Sequence, residues 1–179
     1  FLWLIYPLIT FSTATTIEYD KKIAVLYFEN KGEESANYIT DGLTIEIINK
    51  LSKIKNLSVA SRFDVIEFKD IPINLDNIKE KLDVNFLLMG DLIVLGSRIK
   101  ISAELIDLDK RNVPWAESYE KDLNDIFEIQ KEVALNVVKN LNIEINDGDT
   151  QNVLADPAKN SEIYDLLLRT MDKAYSINT

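Results

Sequence analysis

The hydrophobic repeat changes period once along this chain, and that change limits the available folds more than any other feature. The first part has short apolar runs separated by segments of helical period, whereas Val84 to Glu120 follows strand period. Ile23 to Phe28 is a β-branched and aromatic run that reads as a buried strand, closed by Glu29-Asn30-Lys31-Gly32. Residues 34–55 place Ile39, Leu43, Ile47, Leu51 and Ile54 in steps of four and three, on one helical face. Leu57 to Ala60 is a second short strand. A helix between two strands makes a βαβ unit, whose strands are expected to lie parallel. Gly42 falls inside that helix, where glycine costs about 1 kcal/mol relative to alanine, and it is expected to permit a close backbone contact.

Ser61 is placed to cap a short helix to Phe68, Pro72 breaks the chain, and Asn74 caps a helix through Leu82 with Leu75, Ile78 and Leu82 inward. Val84 to Val94 is strongly apolar. Ile99, Ile101, Ala103 and Leu105 then alternate with Lys100, Ser102 and Glu104, and Gly96-Ser97 supplies a hairpin turn between these segments. Val113 to Glu120 is a further strand, entered by the turn Asp109-Lys110-Arg111-Asn112. A long amphipathic helix begins at Asp122 or Asn124, with Ile126, Ile129, Val133, Val137 and Leu141 on one face. The expectation is an α/β fold. Its mixed sheet has about five strands (near 23–28, 57–60, 84–94, 97–108 and 113–120), a parallel βαβ start and an antiparallel three-strand meander, flanked by helices. The polar run 146–159 reads as a linker. Residues 160–179 follow as a C-terminal helix, the start of a helical repeat region, with Tyr164, Leu167, Leu168, Met171 and Tyr175 as its stripe.

Residues 1–11 are almost continuously apolar but short of the ~20 residues of a spanning helix. Ser12-Thr13-Ala14 follows with the small residues of a cleavage site. Two readings stay open for residues 1–14, the tail of a signal peptide or a membrane anchor, with 15–22 as connector and 23–145 as the folded domain. The expected location is extracytoplasmic, in the periplasm or envelope, free or membrane-anchored, and the membrane is a partner if the segment is not cleaved. The anchor reading also admits an intracellular sensory module.

Composition decides what chemistry is open. The chain has no Cys and no His, which removes disulfides, thiolate nucleophiles, zinc fingers and Ser-His-Asp triads. Its net charge of −10 opposes binding to nucleic acid, because phosphates need clustered Lys and Arg. Lys50, Lys53 and Lys55 form the longest basic cluster and read as charges offsetting the dipole at a helix end. Asn146-Asp147-Gly148-Asp149 suggests a calcium loop, but the twelfth position is Pro157 rather than the required Glu, which leaves a solvated linker. Gly90-Asp91 and Gly96-Ser97 are isolated glycines, not a phosphate loop. Glu33-Glu34 and Asp107/Asp109 read as turn acids, and Trp115 and Tyr119 as packing on one strand face. The sequence therefore assigns no catalytic, cofactor-binding or metal-ligating residue, expects no cofactor, and names no partner-binding residue.

At this point the chain resembles a family. Ile23-Ala24-Val25-Leu26, Phe28, Asn30, Tyr38 and Asp41-Gly42-Leu43-Thr44 are similar to the opening of the TolB-like amino-terminal domain. Leu51-Ser52, Val59-Ala60-Ser61-Arg62, Phe68-Lys69, Leu82, Val84, Leu88, Gly90, Gly96, Ile99, Ile101 and Leu105-Ile106-Asp107 continue it. Trp115, Glu117, Tyr119, Asp125-Ile126-Phe127, Gln130 and Glu132 complete a series that covers residues 23–141 in order. Tyr27 stands where the pattern usually has Pro, and Asp91 where it has Ser. The resemblance implies a non-enzymatic accessory domain, related in architecture to envelope assembly proteins of the CsgG and FlgO type and usually followed by tetratricopeptide repeats. On it rests the expected function: an envelope-associated protein-binding scaffold leading into a helical repeat array, with other proteins, a second copy included, as partners. The alternative is a sensory module of a membrane-anchored adenylate cyclase or transcriptional regulator.

Overall fold

The computed structural model describes residues 21–155. The strands in chain order are β1 (Lys21–Val25), β2 (Glu29–Asn30), β3 (Leu57–Val59), β4 (Phe86–Leu95), β5 (Arg98–Asp107) and β6 (Asn112–Asp122). They form one sheet of order β3-β1-β4-β5-β6, with β2 continuing beside β4. β1 is parallel to both β3 and β4, and β4, β5 and β6 form the antiparallel meander. The mixed α/β sheet expected from the two hydrophobic periods is therefore the observed one, with six strands.

Three adjacent residues of β1, Ile23, Ala24 and Val25, are fully buried. Side chains alternate along a strand, so both faces of the sheet are covered there. α1 (Asn37–Leu51) covers one face, burying Leu43, Ile47 and Leu51. The segment from α2 (Arg62–Val65) to α3 (Leu75–Leu82) covers the other through Val65, Phe68 and Ile78. Toward the far edge the sheet is one-sided. β5 buries Ile99, Ile101 and Leu105 but exposes Arg98 and Lys100, and the buried side lies under α4 (Ile126–Asn140) through Ile129, Val133 and Val137. α4 also packs beside α1.

The local signals act as their chemistry requires. Ser61 accepts from Asp64 N and Asn74 from Asn77 N, each satisfying a helix-start N–H that would otherwise lack a partner. Gly96 has φ +61° while Ser97 does not share the positive region, the pattern of a type II′ hairpin turn.

Four expectations need correction. The run Ile23–Phe28 is not one strand, because it leaves the ladder after Val25 and rejoins at Glu29. The connector 15–22 gives its last two residues to β1, paired with Leu57 and Ser58. Gly42 permits no close contact, since a Cβ built there meets nothing within 4 Å. The stretch 146–159 holds a helix, α5 (Asp147–Leu154), which packs on α1 and α4 with Val153 fully buried. The expectations for residues 1–14 and 160–179 lie outside the described residues. Among the described residues no helix is long and apolar enough to cross a membrane.

Candidate functional site

The break between β1 and β2 makes the site. Val25 pairs with Leu88 and Glu29 with Asp91, so three residues, Leu26 to Phe28, stand opposite only Met89 and Gly90. One residue is extra, and the strand bulges. Leu26 N still donates to Leu88 O at 2.9 Å, whereas Phe28 N turns away and donates to Thr44 Oγ1 of α1 at 3.1 Å. The Phe28 ring is carried over Gly90, where a Cβ would stand 2.5 Å from the ring and 2.1 Å from the Ser102 carbonyl oxygen. Only glycine fits that position.

Beyond the bulge, Asn30 ties the loop to the start of α1. Its Oδ1 accepts from Gly32 N at 2.8 Å, and its Nδ2 donates to Glu33 O at 2.6 Å and Asn37 Oδ1 at 2.7 Å. Across the gap, the Lys69 ammonium donates to both oxygens of Asp41, at 2.7 and 2.9 Å, and lies 5.0 Å from the centre of the Tyr27 ring. These groups surround a cavity of about 560 Å³, with Tyr27, Phe28, Phe68, Ile71, Ile73 and Met89 as its apolar lining. That volume falls in the range of ligand-binding clefts. Its position follows from topology. The chain leaving β1 runs to α1 on one face, while the chain leaving β3 runs to α2 and α3 on the other. A crevice opens at the carboxyl ends of the strands where such connections diverge, and that is where α/β sheets bind.

Several residues carrying the family resemblance converge here, namely Phe28, Asn30, Asp41, Thr44, Phe68, Lys69 and Gly90. Ile71 and Ile73 were visible in the sequence only as neighbours of a chain-breaking proline.

The other sequence candidates lie elsewhere. Lys50 is buried in the last turn of α1, and its ammonium donates to Val153 O at 2.9 Å and Ala155 O at 3.0 Å, capping α5 rather than holding an anion. Asn146 and Asp149 form a capping box at the start of α5, which accounts for the calcium-like cluster. Asp107 closes the β5–β6 turn, accepting from Asp109 N and from both nitrogens of Lys110. Burial pushes its carboxyl up, but the Lys110 and Asp109 donors and the Lys110 charge outweigh that and hold it below the ordinary carboxylate value. Trp115 and Tyr119 do share a face, joined by Glu117, whose Oε2 accepts from Trp115 Nε1, Tyr119 OH and Asn136 Nδ2 at 3.0–3.3 Å. Burial, with the Glu117 carboxylate, pushes the Tyr119 phenol well above its ordinary value, against the opposing hydrogen bond from Asn136. Among the described residues no group of three or more acidic side chains is arranged to hold a metal ion.

Comparison with known proteins adds sequence and fold relationships. Residues 19–139 match the family described as HilA/YgeH-like transcriptional regulator, second domain. A protein of Rhizobium meliloti (strain 1021) named "Putative adenylate cyclase 3" is 32% identical over 157 residues, 87% of this chain. Among solved structures, TolB from Acinetobacter baumannii superposes with a TM-score of 0.53 at 16% identity over 71% of this chain, a likeness of fold. Lipoprotein GNA1162 from Neisseria meningitidis gives a TM-score of 0.49 at 12% identity, over 66% of this chain and 99% of that one. The chain spans 27% of the Rhizobium protein and 29% of the TolB chain.

Proposed function

This chain belongs to the family of HilA/YgeH-like transcriptional regulator second domains, and from that premise we propose that it is a non-catalytic regulatory module, which binds a partner at the crevice and serves an output located elsewhere in a longer protein. One observation carries the reading. Sequences of this kind occur in a family named for transcription and in a relative named for cyclic nucleotide synthesis, two outputs with no shared chemistry. A part common to two such proteins is read as serving either output rather than performing it. The residue inventory agrees, since without Cys or His a catalytic site would need carboxylates, lysine or tyrosine alone.

The test uses the Rhizobium relative. Replacing its matched region with residues 19–139 of this chain should change the level of its cyclic nucleotide output without abolishing it. The 179-residue chain alone should turn over no ATP with Mg²⁺ or Mn²⁺. Turnover by the isolated chain that is lost on a single carboxylate substitution, with folding intact, would overturn the reading.

A second reading, an envelope scaffold leading into a tetratricopeptide array, is favoured by the apolar run 1–11 with Ser12-Thr13-Ala14 after it, and by the TolB-like fold. Residues 160–179 supply the first repeat helix in that reading. Alkaline phosphatase fused after residue 179 should be active if the domain is exported, and inactive if it works in the cytoplasm.

A further inference from the structure

The crevice has a mouth as well as a lining, and the mouth is what a partner meets first. Seven large hydrophobic residues are exposed among the described residues, and four of them, Phe63, Ile66, Ile71 and Ile73, fall between β3 and α3. Ile71 and Ile73 also line the cavity while remaining 48% and 40% exposed, so apolar surface runs without interruption from inside the crevice to its rim. A small molecule enclosed by the cavity would leave that rim uncovered.

Apart from Arg62, the uncompensated charge around the same mouth is acidic. The two lysines there are already engaged, Lys31 with Glu29 and Lys69 with Asp41. The Arg62 guanidinium lies over the Phe63 ring, 4.7 Å from its centre. Glu33, Glu34 and Asp70 are exposed and have no ion-pair partner among the described residues. Asp70 lines the cavity, and Glu33 and Glu34 lie between two residues that line it, Asn30 and Asn37, with the Glu33 carbonyl bonded to Asn30. An apolar slot bordered by unpaired carboxylates is complementary to apolar side chains flanked by Lys or Arg. The same carboxylates oppose an anionic lipid surface.

We infer that the crevice is a docking site for a cationic amphipathic segment of a partner protein, whose apolar side chains enter between Tyr27, Phe68 and Met89 and cover Ile71 and Ile73, while its basic residues meet Glu33, Glu34 and Asp70. This deepens the regulatory reading and rests on it.

The test titrates the full 179-residue chain, isotopically labelled, with three synthetic 18-residue peptides. The first has a Leu/Phe helical stripe and a Lys polar face, the second the same stripe with a Glu face, and the third the first composition with the stripe scrambled. The first should bind saturably, with amide shifts confined to 26–37, 66–73 and 89–90. Ile71→Asp with Ile73→Asp should weaken it by about tenfold or more, as loss of central apolar anchors does. The milder Ile71→Ser serves if the double variant does not fold. Glu33→Gln, Glu34→Gln and Asp70→Asn together should weaken it several-fold, and less so at high salt. Val113→Asp, just past the β5–β6 turn at the other end of the sheet from the crevice, should leave it unchanged.

No saturable binding, equal binding of the Glu-faced or scrambled peptide, or indifference to the Ile71 and Ile73 changes would overturn the inference. So would binding to phosphatidylglycerol vesicles that is lost with Ile71→Asp, which would make the surface a membrane contact. If the peptides fail while the replaced module still alters the Rhizobium protein's output, the docking surface falls and the regulatory reading stands.

Discussion

Gly90 and Gly42 look alike in the sequence, an isolated glycine within a periodic run, yet the structure asks opposite things of them. At Gly90 a methyl group would meet the Ser102 carbonyl oxygen at 2.1 Å, a backbone atom of the neighbouring strand, so the sheet itself must shift. Gly90→Ala should cost about 1–3 kcal/mol, as overpacking does, seen as a lower urea midpoint together with a changed Phe28 ring environment. Gly42 has open space around its Cβ position, so Gly42→Ala should raise stability by about 1 kcal/mol in the same measurement. The sequence could not tell the two apart, because the difference lies in what stands across the sheet and not in the local run. Asp107 supplies the pH dependence. Its folded carboxyl sits below the ordinary value, so its stabilising effect is complete above the unfolded value near ~3.9 and is lost as pH falls through the lower folded value. Acid titration of stability below pH ~4 should therefore be steeper in the native protein than in Asp107→Asn, which cannot pair ionically with Lys110.

At the scale of elements, what the sequence revealed was whatever depends on local period and caps. Helices capped by Ser61 and Asn74, the Gly96-Ser97 hairpin and the alternation of β5 all stand where those signals put them. What it concealed depends on distant groups. The bulge at 26–28 exists because Thr44 takes the Phe28 N–H and Gly90 leaves room for the ring, and neither is local to the run Ile23–Phe28. α5 is a stronger case. Its sequence is polar, it buries Val153 and little else that is apolar, and its carboxyl end is capped by a lysine 103 residues away from Val153. No periodicity within 146–157 could announce a helix held in that way. Lys50→Met keeps the apolar stem of the side chain but removes the donor to two carbonyls. It should cost about 1–3 kcal/mol, the penalty for a buried acceptor left unsatisfied. Hydrogen exchange should report the loss first at amides 147–155, with β4 and β5 still protected. Uniform loss across the sheet would mean that α5 and the core unfold together.

For the whole molecule, α1 sets the distance between the crevice and the places where the chain enters and leaves. Its first turn, Asn37 and Thr40, lines the cavity, and its last turn carries the Lys50 cap on Ala155 O. Lys21 pairs with Leu57 soon after the end of α1, so the described chain begins and ends opposite the crevice. A partner seated in the crevice therefore sits at the other end of α1 from Lys21 and Ala155, where the described chain begins and ends. That separation holds only if α1 is one rod, and Gly42 is the position where it is weakest. The absence of cysteine permits a direct measurement. Ser35→Cys and Ser52→Cys are conservative exposed sites flanking α1, and spin labels there should report one narrow distance. At 1.5 Å per residue for α1, with slightly more for the 3₁₀ turn before it, the backbone separation is about 25 Å. The cationic peptide should leave that distance unchanged, and Gly42→Ala should not narrow it further. A second, shorter population that Gly42→Ala removes would show that α1 bends at Gly42, and the crevice would then move independently of the end where the chain enters and leaves.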